Sequence, residues 1–325
     1  MKLRVSMRWF LVLSTVFISV AASAQGFPNR PIRLIVPFAA GGANDLLARA
    51  LSKPLGDALG TNVVVSNLAG GSTKIGVSEL MRSPPDGHTL MYAGYLAFLG
   101  YYYSGIYDTK FWQEMTVLGQ TGQMAYAVFE TRAESPFKTW KDVIAFGKEN
   151  PGKLSVGGPG QGGLMNLIPL EVGKAAGIDL TYVPYRGGGP SGLAMLGGEV
   201  QMRIAQLAEV YPNAIAGKGR PLAVIARSRI AELPDVPTLK EVGVDIDVPP
   251  FSYEVWAPGK MPAAIESKII EAIKTAVKDP FFTDVARRVL FQPGFVEARD
   301  VQEGMLQFEK SLGPRLEAAF PRKPQ

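Results

Sequence analysis

Cysteine is absent from the 325 residues, and histidine occurs once. Without cysteine there is no disulfide, no thiolate metal ligand, no cysteine nucleophile and no cysteine for a lipid anchor. His88 sits in the turn-forming stretch Pro84-Pro85-Asp86-Gly87-His88. Ser-His-Asp, paired-His zinc and HExxH sites all depend on that one imidazole or cannot be assembled. A G-x-S-x-G nucleophile elbow is missing, as are a tandem repeat, a low-complexity tract and a Lys/Arg cluster. These absences leave no catalytic residue, metal, cofactor or nucleic-acid surface to expect.

What is present starts with an export signature. Lys2, Arg4 and Arg8 precede the apolar run Trp9 to Val20, and the small-residue step Ala22-Ser23-Ala24 follows. That is the order of a cleavable secretory signal, and the run falls short of the roughly 18 to 20 residues of a spanning helix. Cleavage is expected near Ala24, making residues 1–24 the signal peptide. Its removal takes three cations and no acid, so the formal charge falls from +5 to +2. The apparent basicity is therefore mostly targeting machinery. About 300 remaining residues exceed what one core normally spans, so two lobes are expected.

From Pro31 onward, short β-rich runs alternate with amphipathic helices. Ile32 to Pro37, Asn62 to Val65 and Thr89 to Tyr92 read as strands, with helices over Asn44 to Leu55 and Ile75 to Met81. Strands follow at Ala125 to Phe129, Leu154 to Val156, Leu180 to Val183, Val200 to Ile204 and Leu222 to Ile225. Helices are expected at Trp140 to Lys148, Leu164 to Ala175 and from Pro262 onward. Such alternation predicts an α/β protein of parallel sheets with helices on both faces. Pro and Gly are spread through the loops instead of marking one linker, as in a chain that crosses between lobes more than once.

Three loops carry candidate chemistry. Phe38, Ala39, Ala40, Gly41, Gly42, Asn44 and Asp45 lie between the first strand and its helix. Glycines there let backbone N–H groups face outward, and the helix N-terminus adds partial positive charge, which suits a carboxylate. This first loop matches neither the dinucleotide nor the P-loop fingerprint; a plain turn capped by Asn44 or Asp45 is the competing reading. Gly160, Gln161, Gly162 and Gly163 repeat the strand-loop-helix setting in the other half of the chain. Arg186, after Val183-Pro184-Tyr185, is either a carboxylate clamp or a solvated loop arginine. Arg203 is unusual in an apolar strand, shares a face with Ala205, and needs either an internal acid or a ligand anion.

Taken as an ordered set, several short segments resemble the solute-binding subunit of tripartite tricarboxylate transporters, the Bug or TctC family. They are Pro31 to Phe38, Gly41-Gly42 with Asp45, Pro85 to Leu90, Val183 to Gly187, Leu196 to Gln201 and Leu233 to Thr238. The resemblance spans nearly the whole mature length. It implies a type II periplasmic-binding fold with two doubly wound lobes and a cleft: lobe 1 from residues 25–124 plus 250–325, lobe 2 from 125–249. The crossings would lie near Gly122 to Ala125 and Val248 to Tyr253. It further implies a monomer in the periplasm that captures a small organic carboxylate through the first glycine loop. Its partner would be inner-membrane transporter subunits or a sensor kinase ectodomain; a hydrolase on the same scaffold is the weaker alternative. Departures from the family pattern bear on the ligand. Gly94, Tyr95 and Leu96 stand where small hydroxylated residues are common, which suggests a bulkier, less polar ligand body. The competing reading packs the aromatics of Tyr95 to Tyr103 into the core. Ile204-Ala205-Gln206 replaces Phe-Asp-Asn, and the lost acid argues against an amino group on the ligand.

Overall fold

The computed structural model describes residues 26–124 and 127–321. The export segment read at residues 1–24 lies outside the described residues, as does Ala125 at the first expected crossing.

The chain opens with β1 (Ile32–Val36), in which Ile32, Leu34, Ile35 and Val36 are all buried. A strand covered on both faces needs apolar side chains in both directions, as this run supplies. After it comes α1 (Ala43–Leu59), whose Leu47, Leu51, Leu55 and Leu59 recur every fourth residue on the buried face. The helix runs a turn beyond the expected Leu55, through Pro54, until Gly60 in the left-handed region stops it. Then follow β2 (Val63–Asn67), α2 (Lys74–Arg82), β3 (Thr89–Ala93), α3 (Tyr95–Tyr103), a 3-10 turn at Phe111–Glu114 and β4 (Met115–Met124).

A second run holds β5 (Ala127–Arg132), α4 (Trp140–Glu149), β6 (Leu154–Pro159), α5 (Leu164–Ala176) and β7 (Leu180–Tyr185). It continues with α6 (Gly188–Gly197), β8 (Met202–Gln206), α7 (Leu207–Ile215) and β9 (Gly219–Ile225). The chain ends with β10 (Phe251–Pro258), α8 (Ala263–Ala276), α9 (Pro280–Arg288), β11 (Gln292–Val296) and α10 (Ala298–Ala319).

These strands form two sheets, in the orders β11-β4-β10-β3-β1-β2 and β7-β6-β8-β5-β9. The α/β architecture and paired, helix-covered sheets agree with the sequence reading, but the sheets are mixed and not wholly parallel. β1, β2 and β3 pair in parallel, as do β6, β7 and β8. β10 runs antiparallel to β3 and β4, and β5 runs antiparallel to β8 and β9. The helix-crossover pattern that predicts parallel pairing does not govern the strands by which the chain enters or leaves a sheet.

β4 and β10 escaped the sequence reading for separate reasons. Every residue of β10 is buried, so it shows no alternation. β4 contains Gly119 and Gly122 at φ 144 and 148, a region other residues avoid. Both glycines sit where β11 and the rings of Phe291 and Phe295 press on the strand. Among the described residues no helix is long and apolar enough to cross a membrane.

Candidate functional site

Three helices begin on one space between the two sheets. α1 starts after Gly42, α3 after Gly94 and α5 after Gly163; each of these glycines has an extended backbone and no side-chain cap. The first N–H groups of a helix have no partner within it, and they carry the positive end of its dipole. Gly42, Gly94 and Gly163 all line one cavity of about 70 Å³. One water needs roughly 10–15 Å³ of such space, so the cavity has room for a small organic molecule.

The wall comes from both sheets. Phe38, Ala43, Asn44, Leu96, Ala97 and Tyr101 face Pro159, Leu164, Met165, Gly188, Gln206 and Glu209, and β10 adds Phe251, Ser252 and Tyr253. Close approach explains Gly94: a Cβ there would stand 2.6 Å from the Ser252 carbonyl oxygen. Tyr253 closes the back by donating its hydroxyl to Gln206 across the sheets.

The electrostatics are dominated by buried acids. Glu209, in the first turn of α7, has a side chain only 9% exposed, and its Oε1 accepts the Ala43 N–H of α1 at 2.8 Å. Its Oε2 is buried without a hydrogen-bond partner, 3.8 Å from Arg203 Nη1. Arg203 donates from Nε to Glu130 at 2.6 Å, from Nη1 to the Gly188 carbonyl and from Nη2 to the Glu209 carbonyl. Burial raises the pKa of both Glu130 and Glu209 against the opposing pull of Arg203. Glu254 of β10 is buried too, and accepts the Tyr95 N–H at 2.8 Å, at the start of α3. Burial outweighs its hydrogen bonds to Ser252 and Tyr95 and pushes its carboxyl up to about 7.

The expected site residues therefore separate. Phe38, Gly42, Asn44, Gly94, Leu96 and Gly163 come together around the cavity. Gly160 and Gln161, with Arg186, line a neighbouring open recess of about 430 Å³ that shares Phe38 and Tyr101 with it. The recess is the larger space, but Glu209 and the three glycine-led helix ends converge on the smaller one. Ala39, Ala40, Gly41 and Asp45 build the first loop from behind: Ala39 donates its N–H to the Arg186 carbonyl, and Asp45 accepts from Gly41. Burial would raise the Asp45 pKa, but Arg49, the Gly41 N–H and Asn67 hold it below the usual carboxylate range. Gly162 likewise serves its loop, donating to Asn166.

Four expectations need correction. Arg203 finds internal acids rather than a ligand, because β5 and β8 set it directly opposite Glu130 in register. Ala205 is buried in β8 and takes no part in the wall. Tyr95 turns inward against Trp112, as the packing alternative held for it, while its neighbours Gly94 and Leu96 line the cavity. The argument against an amino group on the ligand rested on the acid missing at Ala205. Glu209 returns a carboxylate to that wall from the next turn, so the ground for it is gone. Glu209 escaped notice because an acid at the third position of a helix usually caps that helix's own backbone. Here it reaches across to α1 instead.

The family model described as "Tripartite tricarboxylate transporter family receptor" matches residues 47–310. A UPF0065 protein of Cupriavidus necator is 32% identical over 281 residues, covering 86% of this chain and 84% of its own. A solved periplasmic transporter is 28% identical at a TM-score of 0.81, covering 91% of this chain and 98% of its own. Rpa4515 of R. palustris, solved with adipate, is 25% identical at a TM-score of 0.77, covering 89% of this chain and 98% of its own.

Proposed function

The chain belongs to the tripartite tricarboxylate transporter receptor family, and on that footing we propose that it is a periplasmic receptor capturing a small organic carboxylate for such a transporter. The observation that carries this is the convergence of three glycine-led helix N-termini, at Gly42, Gly94 and Gly163, on one cavity between two sheets, with the end at Gly163 taking no carboxylate from the described residues. Such ends stabilise an anion through oriented N–H groups without any cationic side chain. The adipate in Rpa4515 supports a carboxylate as the ligand class.

We take lobe 1 as residues 25–124 plus 250–325 and lobe 2 as 125–249, closing on each other over the cavity, after export and cleavage near Ala24. Closure would turn capture into a shape that a membrane partner reads. The apolar wall of Phe38, Leu96, Leu164, Met165 and Phe251 suits a ligand with a hydrocarbon body. Thermal-shift and calorimetric titration of the mature protein with a broad carboxylate panel tests the proposal. A rise in melting temperature with at least one acid is expected; no shift and no heat with any of them overturns it.

A further inference from the structure

The cavity asks for hydrogen-bond donors at one end. Among the described residues that line it, Glu209 alone carries a formal charge, and none is a lysine or arginine. Two of its acceptors are buried without a hydrogen-bond partner: Glu209 Oε2 and Asn44 Oδ1. Leaving a buried carboxylate oxygen unpaired costs on the order of 1–3 kcal/mol, which a donor on the ligand would recover.

Arg203 does not meet this demand. Its three nitrogens are all engaged, and its single charge is shared between Glu130 and Glu209, which leaves this buried cluster one carboxylate in excess. A second anion brought beside Glu209 would meet repulsion in a site shielded from water.

Two of the three glycine-led helix ends are already served by the chain itself. Glu209 takes the Ala43 N–H of α1, and Glu254 takes the Tyr95 N–H of α3. The end of α5, at Gly163, Leu164 and Met165, receives no carboxylate from the described residues, and all three residues line the cavity.

From this polarity we infer that the cleft selects a ligand with a single carboxylate, seated at the start of α5, and a nitrogen-borne donor, an ammonium or amide, facing Glu209 and Asn44. Glu209 is then the specificity-determining residue that turns a carboxylate cleft away from dicarboxylates. The inference rests on the receptor reading above.

Calorimetric titration of the mature protein with end-matched acids tests it. The series at each of two lengths, four and six carbons, comprises the dicarboxylate, its half-amide, the terminal amino acid and the plain monocarboxylate. The amino or half-amide member is expected to bind about tenfold or more tighter than the dicarboxylate. In Glu209→Gln the amide keeps an acceptor for Ala43 N–H while losing the charge, so the gap to the dicarboxylate should narrow. A dicarboxylate that binds tightest to the wild type overturns the inference and leaves the receptor reading standing, and so does equal affinity across each series. Binding by no member at either length overturns the inference, and the broad panel then decides the receptor reading. If Glu209→Gln does not fold, the wild-type series decides alone.

Discussion

At the scale of single residues, Gly188 shows how closely the two sheets' loops meet. A Cβ on it would overlap the Glu209 carboxylate, which lies between Gly188 and Gly42. Gly188→Ala should therefore push Glu209 off the Ala43 N–H. We expect a loss of roughly 1–3 kcal/mol in denaturant unfolding, together with weaker ligand binding. Unchanged affinity would show that the Glu209 contact plays no part in the site. Glu254 supplies a pH signature. An acid whose pKa is higher folded than unfolded favours the folded state when protonated. Its penalty is absent below about 4.5 and grows as pH rises toward about 7. The full difference is on the order of 3 kcal/mol. Melting temperature should fall between pH 5 and pH 7, and the fall should be shallower in Glu254→Gln, whose amide still accepts from Tyr95. It should not vanish, since Glu130 and Glu209 are shifted in the same direction.

At the scale of elements, α4 has the most complete start among the described helices. Thr139 accepts the Asp142 N–H while the Asp142 side chain accepts the Thr139 N–H, a reciprocal cap. Thr139→Ala should cost about 1 kcal/mol in urea unfolding with no change in ligand affinity, since α4 contributes nothing to the cavity. The helices with strong periodicity, such as α1 and α4, and the short apolar run of β1 were legible in the sequence because local pattern and tertiary burial agree there. α6 was not: its run Gly-Gly-Pro-Ser-Gly reads as a loop, and only packing of Ala194 and Met195 against the second sheet makes it a helix. The cavity was half legible. Glycines before a helix are visible as a pattern, whereas Glu209, Gln206 and Tyr253 reach it through contacts 47 to 166 residues apart in the chain. No local spacing reports such pairs.

At the scale of the whole molecule, the two sheets are joined by few polar contacts outside the cavity. Arg315 of α10 makes a two-pronged pair with Glu171 of α5, at 2.9 and 2.6 Å, and also donates to the Asp247 carbonyl. Both side chains are partly exposed, so the coupling should be about 1 kcal/mol or less and weaken with salt. Arg315→Met should enlarge the radius of gyration of the ligand-free protein in X-ray scattering. The exchange Glu171→Arg with Arg315→Glu should restore most of the compactness. No change in either variant would show that this pair does not hold the sheets together.

The placement of β10 between β3 and β4 has a consequence for how the protein is made. As the chain emerges from its N-terminus, β1, β2, β3 and β4 are all delivered before the strand that must lie among them. The first sheet stays split until residues 251–258 arrive, while β5 to β9 have every neighbour they need once residue 225 is out. The middle of the chain should thus gain amide protection first in pulse-labelled refolding, and β1 and β3 only with β10. A protein built in this order completes its smaller sheet first and can close its larger one only when about three quarters of the chain has been made.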